Sequence, residues 1–553
     1  MQVMDAITEI LKREGISTMF CFPTTPIIEA AVAGGMRPVI CRQERVGVHM
    51  ADGYARVTNG KPAGVFAMQY GPGAENAFAG IASAYSDSTP VLLLPLGHPR
   101  ETAQMFPLFN STRSYASVVK HVEPLGQPEH TVPAMRRAFN ALKNGRPGPV
   151  MIEVPADVMT AEFAGNEVDY KTVKTTRSAG DPDDIDAAAK MLIAAKNPIV
   201  IAGQGVLYAE ASPELVALAE LLDMPVMTTT DGKSAFPEDH ALALGSGGVV
   251  YTGHGRQFLL DCDVIFAIGT SLTRHNISTP IIPPGKTIIH ATNDPRDLHK
   301  ANETALPILG DAKLVLSQLI EAAKERLKGP TKSNGARSTG VRKQIDTLKK
   351  DWLGRWEAKR RSAERPINPY FVMAEFMRVI PSEDAIVTHD SGSPRDQLLP
   401  FYVAKKPRGY MGWGKSHQLG TGLGLAIGAK VGAPDKMCVN FMGDAAFGMT
   451  GLDFETAARC GIPITTIVLN NSTMAIETQA MAFSHEKHRT RDLGGRYANL
   501  AADLGGWSER VTDPAEVGPA ILRARRVNES GRAALLEFIT SAETAFSHRR
   551  GAA

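Results

Sequence analysis

No apolar run in the chain approaches the roughly 20 residues that span a bilayer, and the first residues, MQVMDAITEILKREG, do not read as a signal peptide. The expectation is a soluble cytoplasmic protein with no membrane partner. Cysteine is scarce and unpaired in pattern: the 5 residues Cys21, Cys41, Cys262, Cys438 and Cys460 include no CxxC pair, which argues against a zinc site and against a disulfide framework. Net charge is nearly absent, at +2, so no whole-protein field recruits nucleic acid or an anionic surface. The one basic stretch, KERLKGPTKSNGARSTGVRKQ, has no aromatic residue interleaved and lacks the pattern of a nucleic-acid face.

What is present is a globular composition, 43% hydrophobic and 21% charged over 553 residues, enough for three or four domains at about 150 residues each. The first residues read as an amphipathic helix with Ile7, Ile10 and Leu11 on one face. Short Val/Ile-rich runs such as Gly64 to Met68, Val91 to Leu96, Pro198 to Ala202 and Val264 to Ile268 alternate with helix-like segments. That alternation predicts an α/β protein of three doubly wound parallel-sheet domains. The expected divisions are residues 1–165, 185–325 and 366–549, with a polar connection before the second and a basic, Gly/Ser/Pro-containing linker over 326–365. The outer blocks each carry a Gly-rich turn between a strand and a helix, a hint of related folds.

Block three holds the strongest chemical signal. In MCVNFMGDAAFGMTGLDFETAARCGIPITTIVLNNSTMAIE, one apolar strand ends at Gly443-Asp444 and the next ends at Asn470-Asn471. Either pair alone is ordinary turn chemistry. Together they put Asp444 and Asn471 at the carboxyl ends of neighbouring strands, where open α/β sheets bind ligands. Both offer oxygen donors, which suit a hard cation bridged to phosphate. Ala445 and Ala446 are small enough to let backbone N–H groups approach a diphosphate at the start of the following helix. In block one, PVICRQERVGVHMADGYARVTNGKPAG places Glu44 at the opening of a helix; alone it reads as a solvated capping charge.

These segments resemble the thiamine diphosphate enzymes of the acetohydroxyacid synthase, benzoylformate decarboxylase and pyruvate oxidase type, and the resemblance spans nearly the whole chain. It implies that Mg²⁺ is held by Asp444, Asn471 and the carbonyl of Thr473, and that Glu44 is the carboxylic acid activating the cofactor's aminopyrimidine. It further implies cofactor contacts from Gly71, Pro72, Gly73 and Asn76 of QYGPGAEN, from Gly392 and Ser393 of HDSGSPRDQ, and from Gly443, Ala445, Ala446 and Met474. Leu419 of LGTGLGLAIGA stands where the family places an apolar wedge beneath the bent cofactor, and His417 offers its backbone carbonyl to the 4′-amino group. One departure is that Ala445 and Ala446 replace the family's usual Gly and frequent Ser. The two half-sites come from blocks one and three, so the resemblance implies a homodimer or homotetramer with sites between subunits.

The implied reaction is decarboxylation of a small 2-oxo acid, with possible ligation of the resulting enamine to an acceptor carbonyl. Glu477 matches the Ile-Glu of pyruvate and indolepyruvate decarboxylases, and Gln69 with Tyr70 falls where benzoylformate decarboxylase has its His-Ser. The Phe-Gln-Glu turn of acetohydroxyacid synthases would fall at Phe106-Pro107-Leu108, without the Gln and Glu, which argues against an ordinary acetolactate synthase. An acetolactate synthase-like transferase stays open as an alternative. So do a 2-hydroxyacyl-CoA or oxalyl-CoA lyase, with the tail Ser547 to Ala553 closing over CoA phosphates, and a non-catalytic cofactor-binding subunit. The middle block is a candidate site for FAD or ADP, through GQGVLY (Gly203 to Tyr208) and GTSLTR (Gly269 to Arg274).

Overall fold

The computed structural model describes residues 1–553 apart from 104, 164, 166, 249, 276–278, 329–334 and 548–553. It contains three parallel sheets of 6 strands each, with helices on both faces. The first is built from β1 (Thr18–Cys21), β2 (Arg37–Ile40), β3 (Gly64–Met68), β4 (Val91–Gly97), β5 (His121–Pro124) and β6 (Val150–Pro155). The second comprises β7 (Ile199–Ala202), β8 (Val226–Thr228), β9 (Ala243–Ser246), β10 (Val264–Ile268), β11 (Thr287–Thr292) and β12 (Leu306–Leu309). The third comprises β13 (Ala385–His389), β14 (Tyr410–Met411), β15 (Met437–Gly443), β16 (Ile464–Asn470), β17 (Trp507–Val511) and β18 (Ala534–Ile539).

Sheets one and three share one order, β2-β1-β3-β4-β6-β5 and β14-β13-β15-β16-β18-β17, so the two outer blocks are versions of one fold. The middle sheet runs β12-β11-β10-β7-β8-β9, reversing direction between β10 and β7. Central strands are buried on both faces, as β3, β7, β10 and β16 are throughout, which accounts for their unbroken apolar runs. The amphipathic reading of the N-terminus holds: Ile7, Ile10 and Leu11 of the helix Val3–Arg13 are fully buried.

Two helices bind block one to block three. Glu44–Val57 and Thr421–Gly432 approach so closely that a Cβ at Gly53 would lie 2.2 Å from the Leu425 carbonyl oxygen, and one at Gly428 only 1.8 Å from that of Met50. Gly428 of LGTGLGLAIGA and Gly53 of ADGYAR therefore serve backbone-to-backbone contact. The basic segment expected as a linker is instead occupied by a helix, Gly335–Arg360. Its Lys and Arg content hides an anchoring face: Ile345, Trp352 and Trp356 are buried, and Trp352 stacks on Phe401 with ring centroids 4.8 Å apart.

Candidate active site

In sheet three the order turns at β13 and β15, and ligands of open α/β sheets bind where the strand order reverses. The loops leaving these strands carry Ser391 to Ser393 and Gly443 to Ala446, and both line one cleft. Leu419, Asn471, Thr473 and Met474 line it as well. Ten residues named from sequence thus converge on one concavity: Gly392, Ser393, Leu419, Gly443, Asp444, Ala445, Ala446, Asn471, Thr473 and Met474.

The register between β15 and β16, with Gly443 opposite Leu469, sets Asp444 and Asn471 at the same edge. Asp444 is buried. Its Oδ1 accepts the Ala445 N–H at 2.8 Å, while Oδ2 is shielded from solvent with no partner. Burial pushes its carboxyl above the ordinary value, against the pull of backbone donors that include Ala445 and Ser472. A buried carboxylate oxygen without a partner is costly, and a hard cation removes that cost. Asn471 Oδ1 is fixed by the Thr473 N–H at 3.1 Å, and Thr473 is itself tied to the Arg491 carbonyl at 3.1 Å through its hydroxyl. The donor set therefore fits Mg²⁺. The helix after Asp444 has only 7 residues, Asp444–Thr450, so the N–H groups of its first turn are what it offers a diphosphate.

Glu44 is the first residue of the helix Glu44–Val57 and is buried. Burial raises its carboxyl above the ordinary value, partly offset by its backbone and by Asn76. The Asn76 side-chain amide donates to its Oε2 at 3.3 Å. Gly71 caps the helix Pro72–Ser86 at φ 56°, a conformation that favours glycine. A Cβ at Gly73 would sit 3.5 Å from Glu44 Oε1. Glu44, Gly71, Pro72, Gly73 and Asn76 thus form one group, and Gln69 joins its edge, accepting the Thr24 hydroxyl at 3.0 Å.

Glu44 does not line the cleft beneath Leu419. The group around it and the cleft are two half-sites within one chain. Glu477 follows Met474 in a short turn, half-buried. The exposed His417 side chain faces the ring of His275, with centroids 5.7 Å apart.

Sequence reasoning missed Asp390 and Arg45. Asp390 is fully buried and accepts backbone N–H groups from Ser391, Gly420 and Gly422 at 2.8 to 2.9 Å. Burial pushes its carboxyl up to about 6. Arg45 donates to the Leu419 carbonyl. The adjacency of Asp390 to Gly392 was the available signal, but only tertiary structure brings it under Leu419.

In the middle block, Gln204, Gly205, Tyr208, Gly269, Thr270 and Ser271 line a cavity of about 520 Å³ outside the switch point between β7 and β10. Residues from block one, including Lys61 and Arg146, share it. GQGVLY proves to be largely helical, as Gln204–Tyr208. Its glycines are explained without a ligand, since a Cβ at Gly203 would lie 2.4 Å from the Gly269 carbonyl oxygen. Most of the tail expected to cover CoA, 548–553, lies outside the described residues.

Three family models match in order: the thiamine pyrophosphate enzyme N-terminal TPP binding domain over residues 1–117, the central domain over 185–319 and the C-terminal TPP binding domain over 390–538. Fold and site thus define a thiamine diphosphate enzyme. The probable acetolactate synthase large subunit of Methanocaldococcus jannaschii is 31% identical, over 96% of this chain and 90% of its own. The acetolactate synthase large subunit of Corynebacterium glutamicum is 32% identical over 91% and 80%, and the acetolactate synthase isozyme 3 large subunit of Escherichia coli is 28% identical over 93% and 90%. The chain belongs to the thiamine pyrophosphate enzymes, in the branch of the acetolactate synthase large subunits. The missing Phe-Gln-Glu turn does not remove it from that branch.

Proposed function

We propose that this protein uses thiamine diphosphate to decarboxylate a small 2-oxo acid and to transfer the remaining fragment to an acceptor carbonyl, as an acetolactate synthase-like enzyme. The observation that carries this reading is the convergence of Asp444, with its unpartnered buried Oδ2, on one cleft with Asn471, Thr473 and Leu419. Bound there, the cofactor supplies a nucleophilic carbon that stabilises negative charge beside a carbonyl.

The roles fall to this chain's residues as follows. Asp444, Asn471 and the Thr473 carbonyl would hold Mg²⁺, and backbone donors at Gly443, Ala445 and Ala446, with Gly392 and Ser393, would hold the diphosphate. Leu419 and Met474, which line the cleft, with the His417 carbonyl, would support the cofactor there. Glu44, kept protonated more readily by burial, is the acid that would hold or release a proton at its carboxyl against the cofactor's pyrimidine, and the Gly71-Pro72 turn and Asn76 would pack that ring. Gln69 and Glu477 face the substrate. Residues 1–165 thus form a pyrimidine-binding domain, 185–325 a central domain and 366–549 a diphosphate- and metal-binding domain.

A second copy of the chain completes the site. Supporting this are the absence of Glu44 from the residues lining the cleft and the apolar side chains left exposed on these elements, Phe78 on the helix Pro72–Ser86 and Met449 and Leu452 after Asp444. A homodimer or homotetramer is the proposed state. The 520 Å³ cavity is proposed to take FAD or ADP; the absorption spectrum of the purified protein and a thermal shift with ADP test it. Five free thiols, and no helix among the described residues long and apolar enough to cross a membrane, support a cytoplasmic location.

The test is a panel of 2-oxo acids with Mg²⁺ and thiamine diphosphate, run with and without acceptor aldehydes and 2-oxo acids while CO₂ and products are followed. CO₂ release joined to a ligated product is the expected outcome. Turnover of acyl-CoA thioesters alone would overturn the reading.

A further inference from the structure

The segment Gly412 to Leu419, which delivers His417 and Leu419 to the cleft, is tied within block three where Trp413 donates to the His389 carbonyl at 2.8 Å, but several of its other hydrogen bonds run to block one of the same chain. Arg56 donates to the Gly412 carbonyl at 2.9 Å and to Asp87 Oδ2 at 3.1 Å. Asp87 in turn accepts the backbone N–H groups of Gly414 at 3.3 Å and Lys415 at 3.2 Å. Further along, Gln418 donates its amide to the Ala79 carbonyl at 2.7 Å. The middle block adds the Lys415 to Asp231 ion pair at 2.6 Å and the ring of His275 facing His417. Asp87 and Arg56 are both fully buried, so water does not compete for these bonds.

Asp87 is the C-terminal cap of the helix Pro72–Ser86, whose N-terminal cap is Gly71. One 15-residue helix therefore has the Gly71 turn of the first half-site at one end. At its other end it grips the segment that carries the Leu419 wedge of the second. Ala79, midway along, takes the Gln418 amide. The bond is directional in purpose: Gln418 Oε1 is buried without a partner, a cost borne while Nε2 is held on the helix.

We propose that Asp87 is a positioning residue: it fixes the Gly412–Leu419 segment to the helix that begins at the Gly71 turn, so that block one shares in setting the placement of Leu419 and His417. The proposal rests on the reading that Leu419 supports thiamine diphosphate. Because helix and segment belong to one chain while the half-sites pair between chains, the same helix ties one site's pyrimidine turn to the neighbouring site's wedge.

The test uses the full-length chain. In the apoprotein, Asp87→Asn is expected to speed amide hydrogen exchange across Gly412 to Gly422 by about tenfold or more, the scale of a lost hydrogen bond to a charged group, while β15 and β16 stay protected. In the holoprotein the dissociation constant for thiamine diphosphate rises about tenfold, and the near-ultraviolet circular dichroism band of its bound pyrimidine weakens. If Asp87→Asn does not fold, Gln418→Met, which also removes the unpaired Oε1, is expected to give smaller changes in the same direction. Unchanged exchange in the folded variants overturns the inference. So does faster exchange with wild-type cofactor affinity and dichroism, which is what a merely structural role predicts. A wild-type chain that takes up no thiamine diphosphate overturns the underlying reading, and the inference with it.

Discussion

The Asn76 side-chain amide reaches the Glu44 carboxylate at 3.3 Å, and both residues belong to helix starts on one edge of the first sheet. That bond partly offsets a burial that raises the Glu44 carboxyl. A raised acid is stabilising to neutralise: the folded state holds its proton more tightly, so stability from this group falls as pH rises through the folded value. Glu44→Gln is therefore expected to keep or raise the thermal midpoint at neutral pH while lowering kcat by roughly 10²-fold or more, the scale of a lost proton-transfer group. Steady-state kinetics beside thermal unfolding checks it, and full turnover in the variant contradicts the assigned role.

Asp444 makes the same trade between stability and function. Its Oδ2 is buried and unpartnered, so the apoprotein carries a cost that the cation relieves. Asp444→Asn is expected to leave the apoprotein as stable as wild type or more so. It also loses the stabilisation by Mg²⁺ with thiamine diphosphate, about 2.7 kcal/mol at a hundredfold excess over the dissociation constant. Thermal scans with and without both ligands decide the matter. A retained ligand-induced shift would mean the metal binds elsewhere.

If the half-sites pair between chains, variants defective in different halves should rescue one another. Glu44→Gln and Asp444→Asn chains, each nearly inactive alone, are expected to recover up to about a quarter of wild-type activity when unfolded together and refolded at equal ratio, since mixed dimers carry one intact site. Simple mixing of preformed oligomers gives less. No recovery from co-refolded, demonstrably mixed oligomers would place the complete site within one chain.

The ligand-bearing loops were legible because their chemistry is local. Gly443-Asp444 and Asn470-Asn471 end apolar strands, and a strand's carboxyl end in a parallel sheet is a place as well as a sequence position. The fold class was legible for the same reason, in runs such as Gly64 to Met68. Asp390 was not, because its three N–H donors come from residues up to 32 positions away, and nothing in HDSG announces them. The helix Gly335–Arg360 was misread because its buried face is three residues, Ile345, Trp352 and Trp356, in a segment otherwise basic and polar. Its packing partners Phe401 and Tyr370 lie outside the segment, in block three.

His49 offers a test of buried charge at acid pH. Both ring nitrogens are buried without partners, and burial first, then Arg45 and Arg56, lowers its value from 6.5 to about 3. A lowered base binds fewer protons folded than unfolded, so stability falls as pH drops from about 6.5 toward 3. His49→Leu removes this penalty and the unpaired nitrogens. The variant is expected to shift the acid-unfolding midpoint to lower pH, read by circular dichroism. An unchanged or higher midpoint means that the imidazole has a partner when protonated.

Gly428 and Gly448 make a matched pair for the contact between blocks one and three. A Cβ at Gly428 would lie 1.8 Å from the Met50 carbonyl oxygen, with backbone rather than a flexible side chain in the way, whereas at Gly448 nothing lies within 4 Å. Both sit inside helices, Thr421–Gly432 and Asp444–Thr450. Helix propensity alone favours Ala over Gly by about 1 kcal/mol at either site. At Gly448 that gain is expected to appear as a slightly raised urea midpoint. At Gly428 the helices must move apart, and overpacking of this kind costs about 1–3 kcal/mol or more, so Gly428→Ala is expected to lower the midpoint despite its better propensity. Separation there also shifts Thr421, and with it the Leu419 wedge two residues earlier, so cofactor affinity should fall in step. A Gly428→Ala protein of wild-type stability and affinity would show that the two helices are not in the close register described.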